Sequence, residues 1–199
     1  FVYEGQELGM VNTELASIDE YDDIQSKGQY QLALQQGFSP EAALRFVRQF
    51  SRDNARTPMQ WNAGPNSGFS TGTPWLPVMA DYREINAAQE QQTPHSVLRY
   101  YQTLAKRKAQ SAILQNGRYE ELLPADEAVY AYRRIWQEEE ILVLINFSNQ
   151  RVICNLPGYD GSEQLLIGNY GDSSGVALRP CEARVHLRKR GGGNEAGSK

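Results

Sequence analysis

The sequence predicts two parts of different fold class, a helix-containing part with long loops over residues 1–110 and a small antiparallel β domain over residues 111–188. Apolar residues at helical spacing occur twice before residue 110, which indicates amphipathic helices. After Gly117, short strand-like segments alternate with turn residues, a pattern typical of an antiparallel β sandwich. The last stretch, 189–199, is Gly-rich and charged without apolar anchors, and we expect it to be disordered.

The sequence of the first part predicts three helices joined by loops. The segment 40–50 carries an apolar stripe, and Ser39 before Pro40 is a favourable helix start. A second helix is predicted after Thr93-Pro94 and extends to Gln110, with cations in its last turns. A weaker helical pattern covers 30–36, and the apolar stub 1–3 is interpreted as the end of a strand.

The region 62–86 is rich in Gly, Pro, Asn and Thr, so it predicts an irregular loop. We expect Trp61, Phe69 and Trp75 to be the apolar anchors that hold it, because an irregular loop needs large buried side chains. Core packing is therefore favoured over sugar stacking for both tryptophans.

The second part contains seven strand-like segments. Pro, Gly and Asp residues between them supply the turn chemistry. The run 141–145 is apolar throughout and predicts the core strand. The seven predicted strands are 118–123, 128–136, 141–147, 152–156, 164–167, 175–178 and 183–187.

Composition narrows the classes of function. A hydrophobic content of 40% with 22% charged residues is ordinary for a globular protein. The net charge of −4, without a basic run interleaved with aromatics, gives no reason to expect a nucleic-acid partner. The longest apolar run is too short to span a bilayer, so we expect no membrane association. No secretory signal is visible, and we expect a cytoplasmic protein.

Cysteine and histidine placement gives no sign of a metal centre. His95 and His186 are isolated, and the acidic stretch 14–23 lacks the ordered oxygen ligands of a calcium loop. Cys154 and Cys181 are interpreted as a buried pair of free thiols rather than a disulfide, because two cysteines make no framework. No metal or cofactor is expected.

The segment RDNARTPMQW at 52–61 contains two arginines, a carboxylate, an amide and an indole. An arginine can offer two parallel donors to vicinal hydroxyls or to a carboxylate. We interpret Asp53, Arg56 and Trp61 as a structural lock built from ion pairs and indole packing. Arg52 is the candidate for ligand contact.

This segment resembles, almost letter for letter, a segment of the α-glucosidase branch of glycoside hydrolase family 13, the α-amylase family. The resemblance spans Phe1 to about Lys189 and implies an α/β plus all-β fold. Residues 1–110 would be the last strand, long loop and closing helix at the C-terminal end of a (β/α)8 barrel, followed by a small antiparallel β-sandwich domain. Further similar segments are FVYEGQELGM, ASIDEYDDIQ, GFSTGTPWLPV and PADEAVYAYRRIW.

The resemblance implies the C-terminal portion of a retaining, exo-acting α-glucosidase. It would hydrolyse terminal α-linked glucose from short oligosaccharides, with α-1,6 linkages favoured. In the family the catalytic carboxylates precede the segment at which this chain begins. We therefore assign no catalytic residue and expect the isolated chain to be inactive. The oligosaccharide substrate would be bound by the full-length parent.

Two substrate-binding residues follow from the resemblance. Arg52 corresponds to the arginine that contacts the glucose at the non-reducing end. Gln25 takes the place of a glutamate in the loop that overhangs the leaving sugar, so a neutral amide here would alter linkage preference.

Alternatives remain open at this point. A trehalose-6-phosphate hydrolase of the same branch would share these segments. A non-catalytic carbohydrate-binding or accessory module would need a flat aromatic strip, whereas the aromatics are predicted to be buried. A non-enzymatic relative, the ectodomain of amino-acid transporter heavy chains, is a further alternative, against which Arg52 speaks. A partial barrel would expose apolar surface, so we also expect the isolated chain to self-associate.

Overall fold

The computed structural model describes residues 2–189. The chain divides into two compact units, Phe1–Thr103 and Leu104–Lys199, and the division falls within a helix that ends at Gln110. Lys189 is the last residue of a strand rather than part of a tail, and the rest of the predicted disordered tail lies outside the described residues.

The first unit is built from helices and long connections. Short 3-10 turns occur at Gln6–Leu8, Ile18–Glu20, Arg52–Ala55 and Pro65–Gly68. Its helices are α1 (Ile24–Gln35), α2 (Pro40–Phe50), α3 (Ala87–Gln92) and the beginning of α4 (Val97–Gln110).

Helix α2 has the bounds that its apolar stripe predicts. The Ser39 side chain accepts a hydrogen bond from the Ala42 amide, and Ala43 and Val47 are buried. Helix α1 begins at Ile24, so the predicted start near Tyr30 is wrong. The cause is a cap: the Asp23 side chain accepts from the Ser26 amide and starts the helix, although no apolar pattern marks its first turns.

The predicted helix after Thr93-Pro94 is present as α4 and ends at Gln110 as expected, but it begins only at Val97. A separate helix that the sequence did not predict, α3, ends just before Thr93. The Asn86 side chain caps α3, and the Thr93 hydroxyl donates to the carbonyl of Gln89 at its end. Ser96, not Thr93, supplies the side-chain oxygen at the start of α4, where it accepts from the Arg99 amide at 3.2 Å.

Two expectations about apolar residues of this unit are wrong. Val2 and Tyr3 form no strand and are exposed, since a strand needs a neighbour with which to pair. Trp61, Phe69 and Trp75 are 48%, 47% and 63% exposed, so they do not anchor the long loop.

Buried polar side chains and one leucine anchor that loop instead. Leu76 is 1% exposed, and Gln60 and Ser67 are fully buried. The Gln60 side chain donates to the carbonyl of Ile85, and the Ser67 hydroxyl donates to the carbonyl of Met59. These bonds satisfy backbone groups that the irregular chain leaves unpaired.

The second unit contains α5 (Ala112–Asn116), which the sequence did not predict, and an all-antiparallel β structure. Seven strands were predicted, and the described residues form seven. The five-stranded sheet has the order β1-β2-β3-β7-β5, and a two-stranded sheet joins β4 to β6. The strands are β1 (Arg118–Glu121), β2 (Val129–Trp136), β3 (Glu139–Asn146), β4 (Val152–Ile153), β5 (Gln164–Gly168), β6 (Ala177–Leu178) and β7 (Ala183–Lys189).

Strand β3 lies at the centre of the large sheet and is buried on both faces, which confirms the predicted core strand. Leu142 and Leu144 face a cluster that includes Leu178 of the small sheet, and Ile141 and Val143 face a second cluster. This alternation follows from the period of two along a strand. Residues from both sheets thus share one core, as a sandwich requires.

Both cysteines are free, as expected, but they are not a buried pair. Cys154 is 2% exposed and belongs to the core between the sheets, whereas Cys181 is exposed in the turn before β7. Among the described residues, no helix is long and apolar enough to cross a bilayer.

Candidate functional site

Arg52 opens the 3-10 turn that follows helix α2. Ser51 is the C-cap of the helix, and its hydroxyl caps this turn by accepting a hydrogen bond from the Asp53 amide at 3.1 Å. The turn redirects the chain so that the Arg52 side chain projects outward, with 57% of its surface exposed.

The guanidinium of Arg52 is held by Asp23. Its Nε and Nη2 atoms both donate to Oδ1 of Asp23, at 3.1 and 2.5 Å. The other carboxylate oxygen, Oδ2, accepts from the Ser26 amide at 3.1 Å and from the Ser26 hydroxyl at 2.7 Å. One buried carboxylate therefore starts helix α1 and fixes the arginine.

The environment keeps Asp23 ionised. Hydrogen bonds from Arg52, the largest cause, and from Ser26 together lower the pKa of Asp23 to about 2, against the opposing effect of burial. The positive charge of Arg52 is thus balanced by a neighbour that remains negative at neutral pH.

Asp53 fixes the position of Asp23 by binding its backbone. Its carboxylate is fully buried, and Oδ2 accepts the backbone amides of Asp22 and Asp23 at 2.8 and 2.9 Å. Arg56 lies 3.4 Å from Asp53 and 4.0 Å from Asp23. The structural lock inferred for Asp53 and Arg56 is present, whereas Trp61 is half exposed and contributes no indole packing to it.

Two further contacts were missed from the sequence. The Ser26 and Ser51 hydroxyls lie 2.9 Å apart and join the starts of α1 and of the 3-10 turn. Asn54 accepts the Thr13 amide at 3.1 Å and donates to the Arg48 carbonyl at 3.0 Å. Asp23 with Ser26 three residues later is a recognisable helix-start pattern, so the contact between these two residues could have been predicted from the sequence.

Gln25 is exposed in the first turn of α1, two residues after Asp23. Within the described chain no hydrogen bond joins Gln25 to Arg52. The structure thus brings Arg52 together with Asp23, and it presents Gln25 on the helix that Asp23 caps.

The arrangement is suited to binding rather than to proton transfer. Asp23 and Asp53 are both occupied by several donors, so neither is free to act as a general acid or base. In the described part of the chain, Nη1 of Arg52 has no hydrogen-bond partner, so one side of the guanidinium can donate to an incoming oxygen. No group of three or more potential metal-ligating side chains occurs among the described residues.

Comparison with known proteins assigns the two parts of the chain to two families. Residues 1–117 match the family described as alpha amylase, catalytic domain, and residues 119–170 match maltogenic amylase, C-terminal domain. The junction between the matches lies at the start of β1, directly after α5.

Three relatives illustrate the similarity. The chain is 43% identical to an oligo-1,6-glucosidase of Heyndrickxia coagulans over 193 residues, which is 96% of this chain and 34% of that protein. It is similar to the solved structure of isomaltulose synthase from Klebsiella sp. LX3, with a TM-score of 0.86, 39% identity, and coverage of 94% and 35%. Trehalose-6-phosphate hydrolase of Bacillus licheniformis gives a TM-score of 0.86, 34% identity, and coverage of 94% and 36%.

The chain spans about a third of the length of the curated relatives it matches. Its fold is accordingly the end of the catalytic barrel followed by the C-terminal antiparallel domain. The chain belongs to the α-amylase family, glycoside hydrolase family 13.

Proposed function

We propose that this chain is the C-terminal part of a retaining, exo-acting α-glucosidase that removes terminal α-linked glucose from short oligosaccharides, with α-1,6 linkages favoured. The observation that carries the proposal is the geometry of Arg52, whose guanidinium is held by the buried Asp23 carboxylate and remains more than half exposed. Membership of the α-amylase family and 43% identity to a protein named oligo-1,6-glucosidase support it.

The held guanidinium suits a neutral sugar. Because Asp23 balances the charge of Arg52, the pair does not require an anionic ligand. Its remaining donors can bond to vicinal hydroxyls of a terminal glucose, and the fixed orientation limits the side-chain entropy lost on binding. We assign Arg52 to the terminal glucose.

Gln25 is assigned to the leaving sugar. Its exposed amide lies in the first turn of the helix that Asp23 starts, so the network that orients Arg52 also fixes the backbone that carries Gln25. An amide donates and accepts without a charge, which suits the hydroxyls of a neutral leaving sugar.

The catalytic pair is placed outside this chain. Retaining glycosidases use two carboxylates about 5 Å apart, one as nucleophile and one as acid then base. The carboxylates beside Arg52 are engaged by backbone amides, serine and arginine donors. The isolated chain is therefore expected to be inactive.

The test is an assay of the full-length protein that contains this chain, with isomaltose, maltose and trehalose 6-phosphate as substrates. We expect hydrolysis of isomaltose to be preferred, with the α-glucose anomer released first and detected by NMR. Preference for trehalose 6-phosphate would replace the proposed substrate by that of the hydrolase alternative. Sugar binding without hydrolysis would favour an accessory module. The absence of both binding and hydrolysis would overturn the proposal.

A substitution tests the role of Arg52 in the same protein. Arg52→Lys keeps the charge but loses the planar guanidinium, whose several N–H groups can bond to Asp23 and to a sugar at the same time. We therefore expect kcat/KM to fall by about tenfold to a hundredfold. Arg45→Lys is the matched control, because Arg45 is an exposed arginine of the neighbouring helix α2. Equal effects of the two substitutions would contradict the role of Arg52.

A further inference from the structure

A cavity of about 280 Å³ lies in the second unit, away from Arg52. Side chains of α4, α5 and four strands of the large sheet line it, and most of the wall is apolar. Leu114 contributes from α5, and Val143 and Val185 contribute from the centre of the sheet. The size is near the lower end for ligand pockets, which indicates a small ligand.

The polar part of the lining carries one sign of charge. Arg107, Lys108 and Arg134 line the cavity, and no carboxylate does. In the described part of the chain none of these three cations forms an ion pair. Five other arginines of the unit contact carboxylates, namely Arg118, Arg133, Arg179, Arg184 and Arg188.

Hydrogen-bond donors at the cavity also lack partners. Arg134 donates from Nη2 to the carbonyl of Gly117 at 2.8 Å, but its Nε atom is buried without an acceptor. Tyr132, which lines the same cavity, makes no side-chain hydrogen bond among the described residues. A buried donor without a partner is destabilising, so an oxygen acceptor at this place would be favourable.

The C-terminus of helix α4 accounts for only part of this charge. Arg107 and Lys108 lie in its last turn, where cations offset the helix dipole. Arg134 belongs to β2 on the sheet side, and it reaches the cavity while its Nη2 donates to the carbonyl of Gly117, the residue that ends α5. Cations from two separate elements thus meet at one apolar cavity.

We propose that this cavity binds a small organic anion, with an apolar body against the sheet and a carboxylate or phosphate head between Arg134 and the cations of α4. Charge complementarity selects this occupant over an apolar segment of another protein chain. The inference does not depend on α-glucosidase activity.

The test uses the 199-residue chain with octanoate, octyl phosphate, 1-octanol and octylammonium as probes. Binding is followed by amide chemical shifts in ¹H–¹⁵N NMR spectra. We expect both anions to bind about tenfold or more tightly than the alcohol, with the largest shifts around Leu114, Arg134 and Val143. Comparing the affinities of octanoate and octyl phosphate shows whether the cavity prefers a carboxylate or a phosphate head.

Two substitutions make the test specific. Arg134→Gln removes the half-buried cation, whose Nε is buried. Lys108→Gln removes an exposed cation, so it should have little effect on folding. Each should weaken octanoate binding by about threefold to tenfold, whereas Arg118→Gln, on β1 outside the cavity, should not.

Three results would overturn the proposal. Equal affinity for octanoate and 1-octanol would show an apolar site without anion selectivity. Shifts that map elsewhere would place the anion at another surface. No binding by any probe would show that the cavity does not take a small organic anion, whatever the oligomeric state of the chain.

Discussion

The Oδ1 atom of Asp23 accepts both Nε and Nη2 of Arg52, while Oδ2 of the same carboxylate starts helix α1. The contact spans 29 residues of sequence. It couples the orientation of the exposed guanidinium to the position of the helix that carries Gln25. Any change that moves Asp23 should therefore affect both proposed binding residues together.

Asp53→Asn should destabilise the first unit. Asp53 is fully buried and accepts the backbone amides of Asp22 and Asp23. Asparagine removes the charge and turns one acceptor into a donor, so we expect a loss of about 2–3 kcal/mol in the free energy of unfolding of the chain. Urea unfolding followed by circular dichroism measures it.

The matched control for this change is Asp22→Asn, because Asp22 is an exposed neighbour. It should change the free energy of unfolding by less than about 0.5 kcal/mol. Similar values for the two variants would contradict the role of Asp53 as the group that fixes Asp23.

The contribution of Asp23 to stability should disappear in acid. The pKa of Asp23 is lowered from 3.8 to about 2 in the folded chain, mainly by the hydrogen bond from Arg52. A carboxyl with a depressed pKa stabilises the fold fully above its unfolded pKa, and this stabilisation is lost as pH falls toward the folded pKa. The difference in unfolding free energy between wild type and Asp23→Asn should therefore shrink between about pH 5 and pH 2. A difference that stays constant over this range would refute the ionised pair.

Glu182→Gln should destabilise the β domain strongly. Glu182 is fully buried, and Arg184, 1% exposed, donates to both of its oxygens at 2.9 and 3.1 Å. Burial raises the pKa of Glu182, but hydrogen bonds from Arg184 and Arg179 lower it well below its usual range. The substitution leaves a buried, uncompensated guanidinium, which costs about 3–5 kcal/mol.

Urea unfolding of the chain measures the effect of Glu182→Gln. Asp172→Asn is the control, since Asp172 is 84% exposed and pairs with Arg179 at the edge of the same network. We expect the control to cost less than about 1 kcal/mol. A comparable loss of unfolding free energy in both variants would mean that the buried Glu182–Arg184 pair contributes no more to stability than an exposed ion pair.

The sequence predicted those elements whose signal is local. Helix α2 has a cap and an apolar stripe, and β3 is an uninterrupted apolar run, so both were located. Helix α1 buries only Ser26, so no apolar period marked its first turns. Trp61 was expected to anchor the long loop because it is large and apolar, but it is exposed. The bond that anchors the loop, from Gln60 to Ile85, spans 25 residues and leaves no local signal in the sequence.

The same distinction holds at the candidate site. Arg52 was singled out through a ten-residue motif, but its partner Asp23 lies 29 residues away. Only tertiary structure shows that Asp53 supports Asp23 through backbone amides, because such a contact depends on chain direction and not on residue type. The cavity beside Arg134 likewise depends on which strands are neighbours, since β7 pairs with β3, and β5 with β7, only in the folded sheet.

The isolated chain should self-associate. Large apolar side chains of α1 and α2 are exposed, including Leu32 at 53%, Phe46 at 47% and Phe50 at 58%. Contiguous apolar surface favours association because burying it removes it from water. Sedimentation velocity should show a mass that increases with protein concentration and decreases in the variant Phe46→Gln. A concentration-independent monomer would count against the expectation.

The two thiols should react at very different rates. Cys181 is exposed, whereas Cys154 is 2% exposed in the core between the sheets, and burial raises the pKa of its thiol. Because the thiolate is the reactive form, iodoacetamide should modify Cys181 in the folded chain and leave Cys154 unmodified until the chain unfolds. Mass spectrometry after brief alkylation should find one modified thiol in the native chain and two in urea, and Cys181→Ser should abolish the native reaction. Absence of any modification in urea without reductant would reveal a disulfide, which would require both cysteines to leave the positions they have in this fold.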